Sequence, residues 1–255
     1  MSAELDLYRR IMRARTAAVD ERKDLLYDHA EEVLQALLDN QGITEQEVLI
    51  LAQRRDVSQE FLRRLAADKR FQESYQVKRA VVFNPKTPAS VSLKLLAQIF
   101  LFDQMTLLLV VGIPQEVKTA AEEQICRKLQ QISLGEKLTL ARRTNSERIL
   151  AYLLDDSSSE VVSAVLNNPF LKEATVCRVL RKSQLRPHTV EMIAGHAKWS
   201  CRKDVRYALL RTPHLSTGRA LQFLKVMSKQ ELRDLSQDQN VSASIRTYIK
   251  RLLGG

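Results

Sequence analysis

Three histidines, His188, His196 and His214, and one cysteine, Cys201, crowd into the second half of this 255-residue chain. Imidazoles and thiols are the side chains that most readily hold a metal or form a nucleophile and base pair. No two of the histidines have the H-x-x-x-H spacing that puts both rings on one helix face, and no carboxylate stands at ligand spacing beside them. They read as polar surface histidines, and no metal site is expected. Cys201 has no activating group visible near it, so an ordinary thiol is expected. Cys126 and Cys177 read as small packing residues. With no C-x-x-C pair, neither a disulfide scaffold nor a cysteine zinc module is indicated. Phosphate-cradling G-x-x-x-x-G-K-[ST] and G-x-G-x-x-G loops are missing as well, in a chain with only 7 glycines. Neither a cofactor nor an enzymatic activity is expected.

The chemistry that stands out is cationic. The formal charge is +10, and splitting the chain at residue 128 gives 19 basic and 19 acidic residues before it, 21 basic and 11 acidic after it. Residues 172–229 alone hold 13 Lys and Arg against Glu173, Glu191 and Asp204. Arg178, Arg181 and Lys182 stand at i, i+3, i+4, and Arg202 and Arg206 at i, i+4, which predicts shared helix faces. Like charges so placed repel by about 0.2 to 0.5 kcal/mol per pair, a cost that an anionic ligand relieves. Arg178, Arg181, Lys182, Arg186, Lys198, Arg202, Lys203, Arg206 and Arg211 are therefore the expected anion-binding residues, with Trp199 and Tyr207 as candidates for stacking on a base.

The elements that must position these residues are helices. Hydrophobic residues make up 45% of the chain, while 7 Gly and 6 Pro are too few for the turns of an all-β fold of this length. A polar residue followed by V-x-x-A recurs at Val33, Val77, Val117, Val161 and Val205, with a weaker copy at Val241. The spacing predicts helical hairpins of ~40 to 47 residues. Four copies run into a helix stop at Asn40-Gln41, Asn84-Pro85, Asn168-Pro169 or Thr212-Pro213, since proline cannot continue a helix. Capping boxes are predicted at Thr44/Glu47, Ser133/Glu136, Thr144/Glu147, Ser157/Glu160 and Ser228/Glu231.

Residues 33–96 also align without gaps on 161–224 at an offset of 128, with 12 identities in 64 pairs where composition alone gives about five. Beyond them a four-residue shift brings Val117 onto Val241. The chain is expected to be one domain built as a duplication, a charge-neutral half 1–130 and a basic half 131–255. The apolar run Leu108–Ile113 faces the polar Leu232–Gln237 of the second half, as expected of an internal repeat and a terminal cap.

These features resemble the HEAT-like superfamily of α-solenoids, whose repeats run from an Asp into V-R-x-x-A, as Asp204-Val205-Arg206-Tyr207-Ala208 does. The segment Asn84-Pro85-Lys86-Thr87-Pro88 is similar to the N-P-x-T-P element of the bacterial leucine-rich-repeat-variant group. The resemblance implies an all-α, right-handed α-solenoid of about six hairpins. It also brings up a solenoid type that repairs alkylated DNA with an aromatic and an acidic residue in a basic groove, for which Trp199 and Asp204 are the local candidates. Since Trp199 aligns with Phe71 and Asp204 with Gln76, packing accounts for both.

The expected function is a non-enzymatic interaction scaffold whose basic stretch 172–229 binds an acidic partner protein. The alternative is nucleic-acid binding, against which the neutral first half stands, and behind it a DNA-repair glycosylase. Ile50, Phe83 and Val91, which stand where the second half has Arg178, Arg211 and Arg219, suggest an apolar surface for self-association. The polar start Met1–Asp6 lacks the pattern of a secretory signal, and Gln98, Asp103 and Gln104 interrupt the most apolar stretch, Leu95–Ile113. A cytoplasmic protein with no membrane partner is expected.

Overall fold

The computed structural model describes residues 2–254, which form helices and connecting turns with no strand among them. The chain falls into two compact units, Met1–Arg127 and Lys128–Gly255. The first carries α1 (Ser2–Thr16), α2 (Val19–Leu25), α3 (Glu31–Asp39), α4 (Glu45–Gln53), α5 (Gln59–Ala67), α6 (Tyr75–Phe83), α7 (Ala89–Leu96) and α8 (Leu101–Leu109), with α9 (Gln115–Lys128) ending at the boundary. The second carries α10 (Leu134–Arg143), α11 (Glu147–Leu153), α12 (Ser159–Leu166), α13 (Glu173–Leu180), α14 (Pro187–Gly195), α15 (Ala197–Ser200), α16 (Lys203–Arg211), α17 (Thr217–Lys225), α18 (Lys229–Gln237) and α19 (Ala243–Leu252).

The duplication reaches further than the sequence alignment. Helix starts at 31, 45, 59, 75, 89, 101 and 115 recur at 159, 173, 187, 203, 217, 229 and 243, and α2 recurs as α11, all at the offset of 128. Only the one-turn α15 is added, where the first unit has a turn. The four-residue shift expected near the end does not occur. Val241 stands opposite Ile113, both buried, because the turns before α9 and α19 keep equal length. In the first unit that turn needs Gly112, whose φ is +87° and whose position leaves 3.0 Å between an added Cβ and Pro85.

The valines of the V-x-x-A motif, Val33, Val77, Val117, Val161, Val205 and Val241, are all buried. The 44-residue intervals hold three helices, or four where the one-turn α15 is added, where a hairpin of two was expected: α3, α4 and α5 precede α6. The additional stops carry no proline. Arg54 and Asp68 end α4 and α5 in extended backbone. Of the run Leu108–Ile113, only Leu108 and Ile113 are buried, and Val111 is 83% exposed.

The stops at Asn40, Asn84 and Asn168 have a tertiary cause. Each amide is buried and donates to two carbonyls near the end of an earlier helix: Asn40 Nδ2 to Ala14 and Ala17, Asn84 to Ala52 and Arg54, Asn168 to Ala141 and Thr144. The Oδ1 of each accepts the backbone N–H two residues on, at Gly42, Lys86 and Phe170. One side chain thus satisfies orphan carbonyls of one helix while terminating another.

Three of the five capping boxes form, at Thr44/Glu47, Ser133/Glu136 and Ser228/Glu231. The other two are displaced. Thr144 ends α10 and accepts the Ser146 N–H, leaving Ser146 to cap α11. Asp156 accepts the N–H of Ser158, which stands at the N-cap of α12 in place of Ser157. An ion pair that the sequence does not disclose lies in the first unit's core, with Arg22 Nε 2.8 Å from Glu47 Oε1 and both residues buried.

Candidate functional site

In the second unit α11, α13, α16 and α18 run in the same direction, as the contacts between their ends establish. At the N-terminal ends, Thr175 Oγ1 donates to Glu147 at 3.1 Å, Arg202 Nη1 lies 4.0 Å from Glu173, and Lys203 Nζ lies 3.1 Å from Glu231. At the C-terminal ends, Lys182 sits 5.8 Å from the Tyr152 ring, and Arg211 Nε donates to Asp238 at 2.6 Å. A groove of about 1540 Å³ follows these helices. Arg178, Arg181, Lys182 and Arg211 line it near the helix C-termini; Glu147, Glu173, Lys203 and Asp204 line it near the N-termini, and Asp234 lines it too.

The expected binding residues therefore divide. Arg178, Arg181, Lys182, Lys203, Arg211 and Tyr207 line the groove, whereas Arg186, Lys198, Arg202, Arg206 and Trp199 do not. Arg186 is the N-cap of α14 and donates to the Asp155 carbonyl. Lys198 sits 4.3 Å from the Trp199 ring. Arg206 is half-buried, with Nε lacking a partner. The predicted helix-face sets are also revised. α13 ends at Leu180, so Arg181 is its C-cap and Lys182 lies beyond it, while Arg202 is the N-cap of α16.

Three cations of the groove and its flanks are already neutralised. Lys172 pairs with Glu147, Lys203 with Glu231 and Arg211 with Asp238. These contacts are reflected in acidity. The backbone N–H of Ser228, together with Lys203, holds Glu231 down to about 2. Lys172 draws the Glu147 carboxyl below its ordinary value. Burial pushes Asp238 up, but the N–H of Asn240 and the Arg211 guanidinium outweigh it and the net direction is downward. Arg178 and Arg181 are exposed and have no ion-pair partner among the described residues.

Trp199 corrects an expectation. It is 2% exposed, and its Nε1–H donates to the Leu166 carbonyl at 2.9 Å, so the indole has no face free to stack on a base. Asp204 lines the groove without it, so the Trp199 and Asp204 pair is not assembled there. Two of the three histidines are occupied locally: His188 contacts the Asp156 carbonyl, and His196 Nδ1 accepts the Lys198 N–H. Among the described residues no group of three or more His, Cys, Asp or Glu is placed to hold a metal, and no helix is long and apolar enough to cross a membrane.

The first unit provides an internal comparison at the same positions. Tyr75 bonds to Asp103 where Lys203 pairs with Glu231, and Arg79 lies 4.6 Å from the Phe83 ring where Arg211 lies 5.9 Å from the Tyr207 ring. The cation and the aromatic have exchanged places between the copies. Tyr75 further stacks on Phe100, ring centroids 4.2 Å apart, and Ile50, Phe83 and Val91 are half-buried. The equivalent face is thus aromatic and apolar in one unit and charged in the other. Comparison with protein-family models, curated proteins and solved structures finds no match to the chain.

Proposed function

We propose that this chain is a non-enzymatic interaction scaffold of the HEAT-like α-solenoid kind, and that the groove of its second unit binds an acidic partner protein. The observation that carries the reading is that Arg178, Arg181 and Lys182 stand exposed with no ion-pair partner among the described residues, while Lys172, Lys203 and Arg211 each have a carboxylate partner. Parallel stacking of α11, α13, α16 and α18 supports a solenoid, with hairpins shorter than the valine spacing suggests, and the right hand is what the resemblance implies.

Nucleic acid is the second reading, and the groove favours it less. A phosphate chain carries one charge every few ångströms and would meet Glu147, Glu173, Asp204 and Asp234 in the same groove. A protein partner places its carboxylates only where the cations are. The test is fluorescence anisotropy of the full chain with labelled hexaglutamate and, separately, with a labelled DNA duplex across a salt series. Hexaglutamate binding that the Arg178→Glu/Arg181→Glu variant loses is the expected result. Stronger binding of the duplex, with a steep salt slope, would establish the nucleic-acid reading instead.

A further inference from the structure

The charges of the groove are sorted by end. Because α11, α13 and α16 run in the same direction, Arg178, Arg181, Lys182 and Arg211 gather at their C-terminal end, and Glu147, Glu173 and Asp204 at their N-terminal end, where Lys203 also stands but is held by Glu231. The helix macrodipole favours acids at N-termini and bases at C-termini, which alone would account for some of this sorting. The first unit shows that the fold does not require it. At the same positions it carries Ile50 for Arg178, Gln53 for Arg181, Phe83 for Arg211, Val19 for Glu147 and Gln76 for Asp204. Seven charges of the groove lining are thus new to the second unit, these five with Lys203 for Tyr75 and Asp234 for Thr106, while Lys182 and Glu173 have charged counterparts in Arg54 and Glu45. Apart from Lys203, which Glu231 holds, and Asp234, the additions are positive at one end and negative at the other.

Their pairing is also uneven. Lys203 and Arg211 are held by Glu231 and Asp238, and Glu147 by Lys172 and Thr175. What remains open is Arg178, Arg181 and Lys182 at one end and Asp204 at the other, all exposed and without an ion pair among the described residues. Glu173 stands beside Asp204's end with Arg202 at 4.0 Å. The two ends are separated by the length of α13, whose eight residues rise about 12 Å.

We propose that the groove takes a charge-segregated segment of a partner protein, acidic at the end seated on Arg178 and Arg181 and basic at the end seated on Asp204 and Glu173. The inference rests on the proposed function and sharpens it from an acidic partner to a dipolar one. A uniformly acidic segment would gain at one end and be repelled at the other. A dipolar segment gains at both, and the mismatch of the reversed placement fixes its direction along the groove.

The experiment uses the full chain and two labelled peptides at low ionic strength, EEEAAKKK and EEEAAEEE, read by anisotropy. The parent protein is expected to bind EEEAAKKK more tightly. Arg178→Glu/Arg181→Glu should weaken it by about tenfold. Glu173→Lys/Asp204→Lys should invert the order, so that EEEAAEEE becomes the tighter ligand. Glu173→Gln/Asp204→Asn, which adds no positive charge at the start of α13, should narrow the gap without inverting it. If the parent binds EEEAAEEE as tightly as EEEAAKKK, the dipolar proposal is overturned and the acidic-partner reading stands. If it binds neither, both are overturned.

Discussion

Trp199 caps Leu166. Its indole Nε1–H donates to the Leu166 carbonyl at 2.9 Å, and one copy earlier the Leu38 carbonyl is capped by the Arg70 guanidinium, which also donates to the Asn40 carbonyl at 3.0 Å. The neighbour on the chain has thus taken over the bond, and Lys198, which stands at Arg70's position, no longer needs to make it. Conversion of Arg70's role to Trp199 explains why the chain's lone tryptophan is a structural residue.

Trp199→Phe should therefore destabilise the second unit, because the Leu166 carbonyl loses its donor and remains largely enclosed. A loss of about 1 to 3 kcal/mol is expected in chemical denaturation. Trp199→Phe/Lys198→Arg recreates the Arg70 and Phe71 arrangement and should recover part of that loss. No recovery would show that the two copies close this helix end by unrelated means.

The asparagine clasps make a sharper prediction. At Asn84, whose Nδ2 donates at 2.7 Å to both Ala52 and Arg54, replacement by Ala leaves buried carbonyls and the Lys86 N–H unpaired, at about 1 to 3 kcal/mol. Asn84→Asp should cost more, since it turns a two-proton donor into an acceptor aimed at two carbonyls. Equal denaturation midpoints for the two variants would mean that the amide protons contribute nothing.

How much of this was legible in the sequence follows from the range of each signal. Helices, the buried valines and the duplication came through because they rest on neighbouring residues and on a constant offset. Asn40, Asn84 and Asn168 announced themselves only as stops; the carbonyls they hold are 23 or more residues away. The charge added at Arg178, Arg181 and Arg211 was legible as a difference between copies. Its neutralisation was not, since Asp238 pairs with Arg211 from 27 residues away and Glu147 and Glu231 lie outside the basic stretch. Trp199 misled because aromatic content beside positive charge looks alike whether the ring is buried or free.

The Arg22 and Glu47 pair links stability to pH. Burial pushes the Glu47 carboxyl up, but the Arg22 guanidinium and the N–H and hydroxyl of Thr44 outweigh it and hold it below its ordinary value. A carboxyl depressed in the folded state contributes stability that is present above its unfolded value, ~4.3, and is lost as pH falls through the folded one. Glu47→Gln should remove that part of the acid dependence. Because it strands the buried Arg22 charge, it should also cost about 3 to 5 kcal/mol at neutral pH. A variant whose acid denaturation midpoint coincides with the parent's would show that this pair takes no part in it.

The groove's own acid response has a different origin. Glu231 is held down to about 2, so its contact with Lys203 persists through mildly acid solution. The side chains of a glutamate peptide protonate near ~4.3. Affinity for hexaglutamate should therefore hold down to about pH 5 and fall below it, with the ligand and not the protein setting the midpoint. Replacing the carboxylates by sulfonates, which remain ionised, should abolish the fall. Glu231→Gln releases Lys203 and should strengthen hexaglutamate binding at neutral pH, by a factor that disappears when Lys203→Ala is added. A gain that survives Lys203→Ala would place the additional charge elsewhere and separate Lys203 from the binding surface.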